Sequence, residues 1–189
     1  MSQAAPARMS YSAYLQAEGA SDVKHEYLRG EVFAMAGGPP EHTALAVAIS
    51  TELSIALRGR PCRVFGSDLR IRIEATDLTT YPDVAVVCDS LERSSLDPHA
   101  IVNPVLIVEV LSKSTEAYDR GEKFSHYRRL PSLREYLRVS SQRPLIESYA
   151  RSERGTWELR DTSEGEVLTL ASLPNVRLDP AVIFDDPLA

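Results

Sequence analysis

The chain has 189 residues, 43% hydrophobic and 25% charged, with a net charge of −6 and a pI of about 5.3. That length and balance fit one soluble globular domain spanning 1–189, with a core large enough to need no structural metal or disulfide. The acidic charge argues against a protein that coats nucleic acid through bulk electrostatics, and no apolar run is long enough to cross a bilayer.

The opening stretch MSQAAPARMS lacks the apolar segment of a secretory signal, so the expected location is the cytoplasm. Ser10 to Gly19 reads as a short helix ended by glycine. His25 to Met35 reads as two short strands around Arg29-Gly30, a hairpin signal, and GGPP at 37–40 is a turn. From Glu41 to Leu57 a helical stripe runs through Ala44, Leu45, Ala48, Ile49, Leu53 and Ile55–Leu57, and Pro61 breaks it. CRVFGSD and LRIRIE are strand material, as is DVAVVCD, whose Asp83–Cys88 segment is apolar on both parities and so expects cover on both faces. Ser90–Asn103 is a polar connection with room for a short helix. Val105–Leu111 is the next buried strand. Ser114 or Thr115 is placed to cap a helix running to about Leu130, before Pro131. EYLRVS, LIESYARS and TWELRDTS follow as strands with turns at SSQRP and SERG, and SLPNVRLDPAVIF reads as a segment packed outside. The expected fold is α+β, with a mixed central β-sheet flanked by helices on both sides. Cys62 and Cys88, the only two cysteines, lack metal-ligand spacing and read as separately packed small residues in a reducing compartment.

The strand around Glu109 carries the chemical question, because an unpaired carboxylate among Val, Leu and Ile costs several kcal/mol or more. Asp83 follows Pro82 at the start of another buried strand. If the two strands are neighbours they lie about 4.8 Å apart, and their carboxylates can share a divalent cation at about 2.0–2.6 Å from each oxygen. Against this, Pro-Asp is a common turn pair, and a strand Glu also pairs with arginine or emerges at a solvated strand end. A cation held by two carboxylates suits phosphoester hydrolysis, which a nearby lysine assists. Lys113 shares the parity of Glu109, but four residues at about 3.3 Å place it about 13 Å away. Lys123 lies within the apolar arc of Phe124, Tyr127 and Leu130 on the following helix and can reach back to Glu109. The alternative is a surface pair with Asp119, worth about 0.3–0.5 kcal/mol. His42, opening the long helix, reads as a solvated residue beside a cap or as a group for phosphate or metal-bound water. Glu31 is a further candidate carboxylate or an exposed strand charge. Arg58, Arg60, Arg63, Arg70 and Arg72 form either a phosphate-facing patch or a solvated face.

With Pro82-Asp83, Glu109-Val110-Leu111-Ser112 and Asp119-Arg120-Gly121-Glu122-Lys123 in view, the sequence resembles the Uma-type restriction endonuclease family of bacteria, within the PD-(D/E)XK nuclease superfamily. The resemblance covers nearly the whole chain, from YLRGEVFAMAGGPPEH through FGSDLRIRI, YPDVAVVCD, LIVEVLSKSTEAYDRGEKFSHY and LREYLRV to SLPNVRLDPAVIF. It implies a restriction endonuclease-like core, Asp83 and Glu109 as ligands of Mg²⁺ or Mn²⁺, and a basic residue moved from the strand to the helix at Lys123. It also matches Glu31 and His42 to acidic and histidine positions near the family's site. Leu111 departs from the superfamily signature, and Leu137 and Ser140 stand where the family has tryptophan and aspartate.

The leading expectation is a metal-dependent endonuclease acting on DNA: Asp83, Glu109 and Glu31 for the metal, and Lys123 and His42 for the water or phosphate. A homodimer is expected, because cutting both strands calls for two sites. The alternatives are a binding or interaction module that keeps the nuclease fold without catalysis, and a phosphoesterase acting on a small nucleotide or RNA.

Overall fold

The computed structural model describes residues 8–111 and 119–185. Helix α1 (Tyr11–Gly19) starts where the Ser10 hydroxyl accepts the Ala13 N–H. Strands β1 (His25–Leu28) and β2 (Glu31–Ala34) pair antiparallel across Arg29-Gly30, both at positive φ (51° and 92°), the geometry a two-residue hairpin turn needs. Helix α2 (Pro40–Ala56) begins with proline in its first turn, where a missing N–H costs nothing. The chain continues through β3 (Cys62–Gly66), β4 (Arg70–Ile73), β5 (Leu78–Thr80), β6 (Val84–Cys88), β7 (Ala100–Ile101) and β8 (Leu106–Leu111). A π-helical turn (Asp119–Lys123) runs into α3 (Phe124–Tyr127). Then come β9 (Glu135–Ser140), β10 (Leu145–Arg151), β11 (Trp157–Ser163), β12 (Leu168–Thr169), β13 (Arg177–Leu178) and α4 (Pro180–Ile183).

Among the described residues the larger sheet has the order β11-β10-β9-β8-β6-β3, and a second has the order β2-β1-β5-β4-β7. Both are mixed: β8–β9 and β4–β7 are parallel and their other pairings antiparallel. The larger sheet is apolar on both faces because both are covered. Leu45, Ile49 and Leu53 from α2, and Leu57 just after it, pack on Val84, Val86, Leu106, Val108 and Val110. On the opposite face Ala85, Val87, Ile107 and Tyr136 meet Tyr127, Leu130 and Leu133, with Ile71, Ile73 and Leu78 of the second sheet. Each fully buried aliphatic side chain of this kind contributes about 1.5–3 kcal/mol.

The α+β class and the mixed central sheet flanked by helices hold: α2 covers one face, and on the other α3 is joined by the second sheet. The α2 stripe is narrower than its sequence implies, since Ile55 is 53% exposed. The 90–103 connection contains no helix; it closes through an Arg93–Ile101 bridge and adds β7 beside β4. Leu137 is fully buried in the same core cluster as the α2 leucines. Ser114, Thr115 and Lys113 lie outside the described residues. The cysteine expectation is corrected: Cys62 and Cys88 are joined by a disulfide. They are directly opposed on the antiparallel pair β3–β6, a register that spacing in the sequence does not reveal.

Candidate active site

The register of β6 and β8 sets the site. Val84 opposes Val108, so one step further Asp83 and Glu109 face each other across adjacent strands. Asp83 immediately precedes β6, and its Oδ2 accepts the Val110 backbone N–H at 2.8 Å. The same oxygen lies 3.2 Å from His42 Nε2, delivered by the first turn of α2. The Asp83 hydrogen bond raises the His42 pKa above its ordinary value, and the Asp83 and Glu109 charges and the Val110 backbone add to this against the opposing effect of burial. Gly38 makes that placement possible, because a Cβ there would sit 2.7 Å from His42 Nδ1. Asp83 Oδ1 accepts no hydrogen bond among the described residues.

Glu109 is buried, and two of its partners lie on one turn of chain. Tyr127 donates its hydroxyl to Glu109 Oε1 at 2.6 Å, and Lys123 Nζ approaches the same oxygen at 3.0 Å. Lys123 and Tyr127 are four apart, so the π-turn and α3 present both to β8. Burial, and then the Glu109 charge, push the Tyr127 pKa well above its ordinary value and keep it a donor. The carboxylate among apolar residues is thus answered by an ammonium and a phenol. Lys123 Nζ also lies 3.3 Å from Glu26 Oε1 on β1, which accepts the buried Thr80 hydroxyl as well.

The structure therefore brings Asp83 to His42 and Glu109 to Lys123, on neighbouring strands. Glu31 is exposed on the edge strand β2, and no ion pair among the described residues joins it to these groups. Glu26, Thr80 and Tyr127 are the residues that sequence reasoning missed. Tyr127 was findable from its spacing to Lys123. Glu26 was not, since each parity of His25-Glu26-Tyr27-Leu28 holds one polar and one apolar residue. The five arginines divide: Arg70 pairs with Asp97, Arg72 with Asp77, Arg60 donates to the Pro174 carbonyl, and Arg58 and Arg63 stay exposed.

A cleft of about 690 Å³ opens over Asp83 and His42, walled by the exposed face of α2 with Thr43, Ser50 and Arg58, and by Lys24. Asp83 lines it, whereas Glu109 is not among its lining residues and is only 4% exposed. Among the described residues no group of three or more His, Cys, Asp or Glu side chains is arranged to hold a metal ion. No helix among them is long and apolar enough to cross a membrane.

A family model, Uma2, described as "Putative restriction endonuclease", matches residues 11–181. An uncharacterized protein of Synechocystis sp. is 42% identical over 166 residues, covering 88% of this chain and 86% of its own length. A second from the same organism is 32% identical over 153 residues, covering 81% and 86%. The crystal structure of a "putative nuclease belonging to DUF820" from Anabaena variabilis shares the fold with a TM-score of 0.72 at 16% identity, covering 87% of this chain and 91% of that one.

Proposed function

The chain belongs to the Uma2 family, and on that footing we propose that it is a Mg²⁺- or Mn²⁺-dependent endonuclease that hydrolyses DNA phosphodiester bonds. The observation that carries the reading is the placement of Asp83 and Glu109 at opposed positions of adjacent strands, with His42 and Lys123 beside them.

The residues fit such an ion in charge and donor type. Among the described residues, Asp83, Glu109 and Glu26 bring three negative charges against one from Lys123, and His42 adds at most one positive charge. Among these groups the surplus is negative whether or not the imidazole is protonated. Asp83 and Glu109 are hard oxygen donors of the kind Mg²⁺ takes in ones and twos, with water and substrate phosphate completing its shell. A bound divalent cation supplies polarisation of a phosphoryl oxygen and a more acidic water. The chain's own groups do the rest. Lys123 and Tyr127 fix the Glu109 carboxylate through one oxygen. His42, held by Asp83 with a raised pKa, is a donor for a phosphate oxygen entering the cleft. Glu31, at the sheet edge, has no part in this assignment. A homodimer supplies the second site needed to cut both strands.

The test is cleavage of plasmid and linear DNA with Mg²⁺ or Mn²⁺ against a chelator control. Metal-dependent cleavage that disappears in Asp83→Ala supports the reading; equal behaviour of wild type and variant contradicts it. One observation favours a second reading, a nucleic-acid-binding or interaction module without catalysis: Glu109 is already neutralised by Lys123 and lies behind the cleft wall. Salt-dependent DNA binding without turnover distinguishes it.

A further inference from the structure

The larger sheet ends in an open edge. Strand β11 pairs with β10 on one side and with no strand on the other among the described residues. Glu158, Leu159, Arg160 and Asp161 are all exposed, Leu159 at 54%. Glu158, Arg160 and Asp161 make no ion pair or side-chain hydrogen bond among the described residues, although Arg160 feels the charge of Glu166. Before its last residue, Ser163, whose N–H and carbonyl bond Glu166, this seven-residue edge is a template for another strand.

Its charge order selects the partner. When two copies of one strand meet antiparallel across a two-fold axis, one residue lies on the axis and its two neighbours face each other's equivalents. With Arg160 on the axis, Arg160 opposes itself. With Glu158 on the axis, Glu158 opposes itself. With Leu159 on the axis, Glu158 faces the partner's Arg160, Arg160 faces the partner's Glu158, and the exposed leucines meet. With Asp161 on the axis, Asp161 opposes itself; of the four registers centred on Glu158 to Asp161, only the one about Leu159 pairs unlike charges and brings the leucines together. We propose that β11 is a self-pairing edge: a second copy of this chain adds its β11 antiparallel about Leu159, joining two six-stranded sheets into one. No residue of the candidate site takes part in this interface, so its failure would remove the dimer but leave the site's metal-dependent cleavage to its own test.

Charge reversal tests it in the full chain by sedimentation equilibrium across a concentration series, with circular dichroism confirming that each variant folds. The wild type is expected to dimerise. Glu158→Arg and Arg160→Glu each place two like-charge pairs across the axis and weaken the dimer about tenfold or more. The double variant Glu158→Arg/Arg160→Glu restores unlike pairs and should dimerise like wild type. Leu159→Cys, on the axis, should form an interchain disulfide under mild oxidation. A wild type that stays monomeric overturns the proposal. So do single reversals that dimerise normally, or a double reversal that fails to recover.

Discussion

Replacing Lys123 by methionine keeps most of its length and removes its charge. In the folded protein the ammonium lies between Glu109 Oε1 at 3.0 Å and Glu26 Oε1 at 3.3 Å, with side-chain exposures of 8%, 5% and 12% for Lys123, Glu109 and Glu26. All three groups have left bulk water, so deletion takes the ammonium away from two carboxylates that screening cannot rescue. Removing one partner of such a buried pair costs about 3–5 kcal/mol, whereas an exposed pair is worth about 0–1 kcal/mol. Tyr127 and Thr80 still donate to the two carboxylates, which places the expected loss at the lower end, about 3 kcal/mol. Urea denaturation reads this as a lower midpoint at unchanged slope. Adding Glu26→Gln to Lys123→Met removes one of the two negative charges and should recover part of the loss. A decrease below about 1 kcal/mol for Lys123→Met, with no recovery in the double variant, refutes the buried-triad account.

Other outcomes follow from the same geometry. Reducing the Cys62–Cys88 bond, or replacing both cysteines by serine, should cost about 2–4 kcal/mol in the same assay, and a free-thiol assay on the unreduced protein should find neither cysteine reactive. By NMR the His42 imidazole should titrate above an ordinary histidine, and Asp83→Asn should bring it down. The stability from this pair is complete below the unfolded histidine pKa of about 6.5 and is lost as pH rises through the higher folded value. Gly38→Ala, by pushing a Cβ into the His42 ring, should lower the same pKa without removing the carboxylate. Glu31→Gln should change stability by less than about 0.5 kcal/mol, while Glu26→Gln costs more than about 1 kcal/mol.

Much of this architecture was legible because local patterns dictate it. Arg29-Gly30 announced the hairpin, and Leu45, Ile49 and Leu53 the buried face of α2. The double-parity apolar runs around Val84–Cys88 and Leu106–Leu111 announced strands covered on both sides. The neighbouring of Asp83 and Glu109 was posed as a condition, and the β6–β8 register meets it. What stayed hidden depends on contacts between distant segments. Cys62 meets Cys88 only because β3 pairs with β6. Glu26 reaches Lys123 only because the hairpin sheet folds over the larger one, and nothing in HEYL says which parity turns inward. Ser90–Asn103 looked like a polar connection because a two-residue strand carries too little pattern to detect.

The central claim is that Asp83 and Glu109 hold one divalent cation between them, and a crystal soaked in Mn²⁺ with anomalous diffraction tests it most directly. The account predicts a single peak within bonding distance of both carboxylates, absent in Asp83→Ala crystals. No peak there at saturating Mn²⁺, with Lys123 still seated on Glu109, would contradict it.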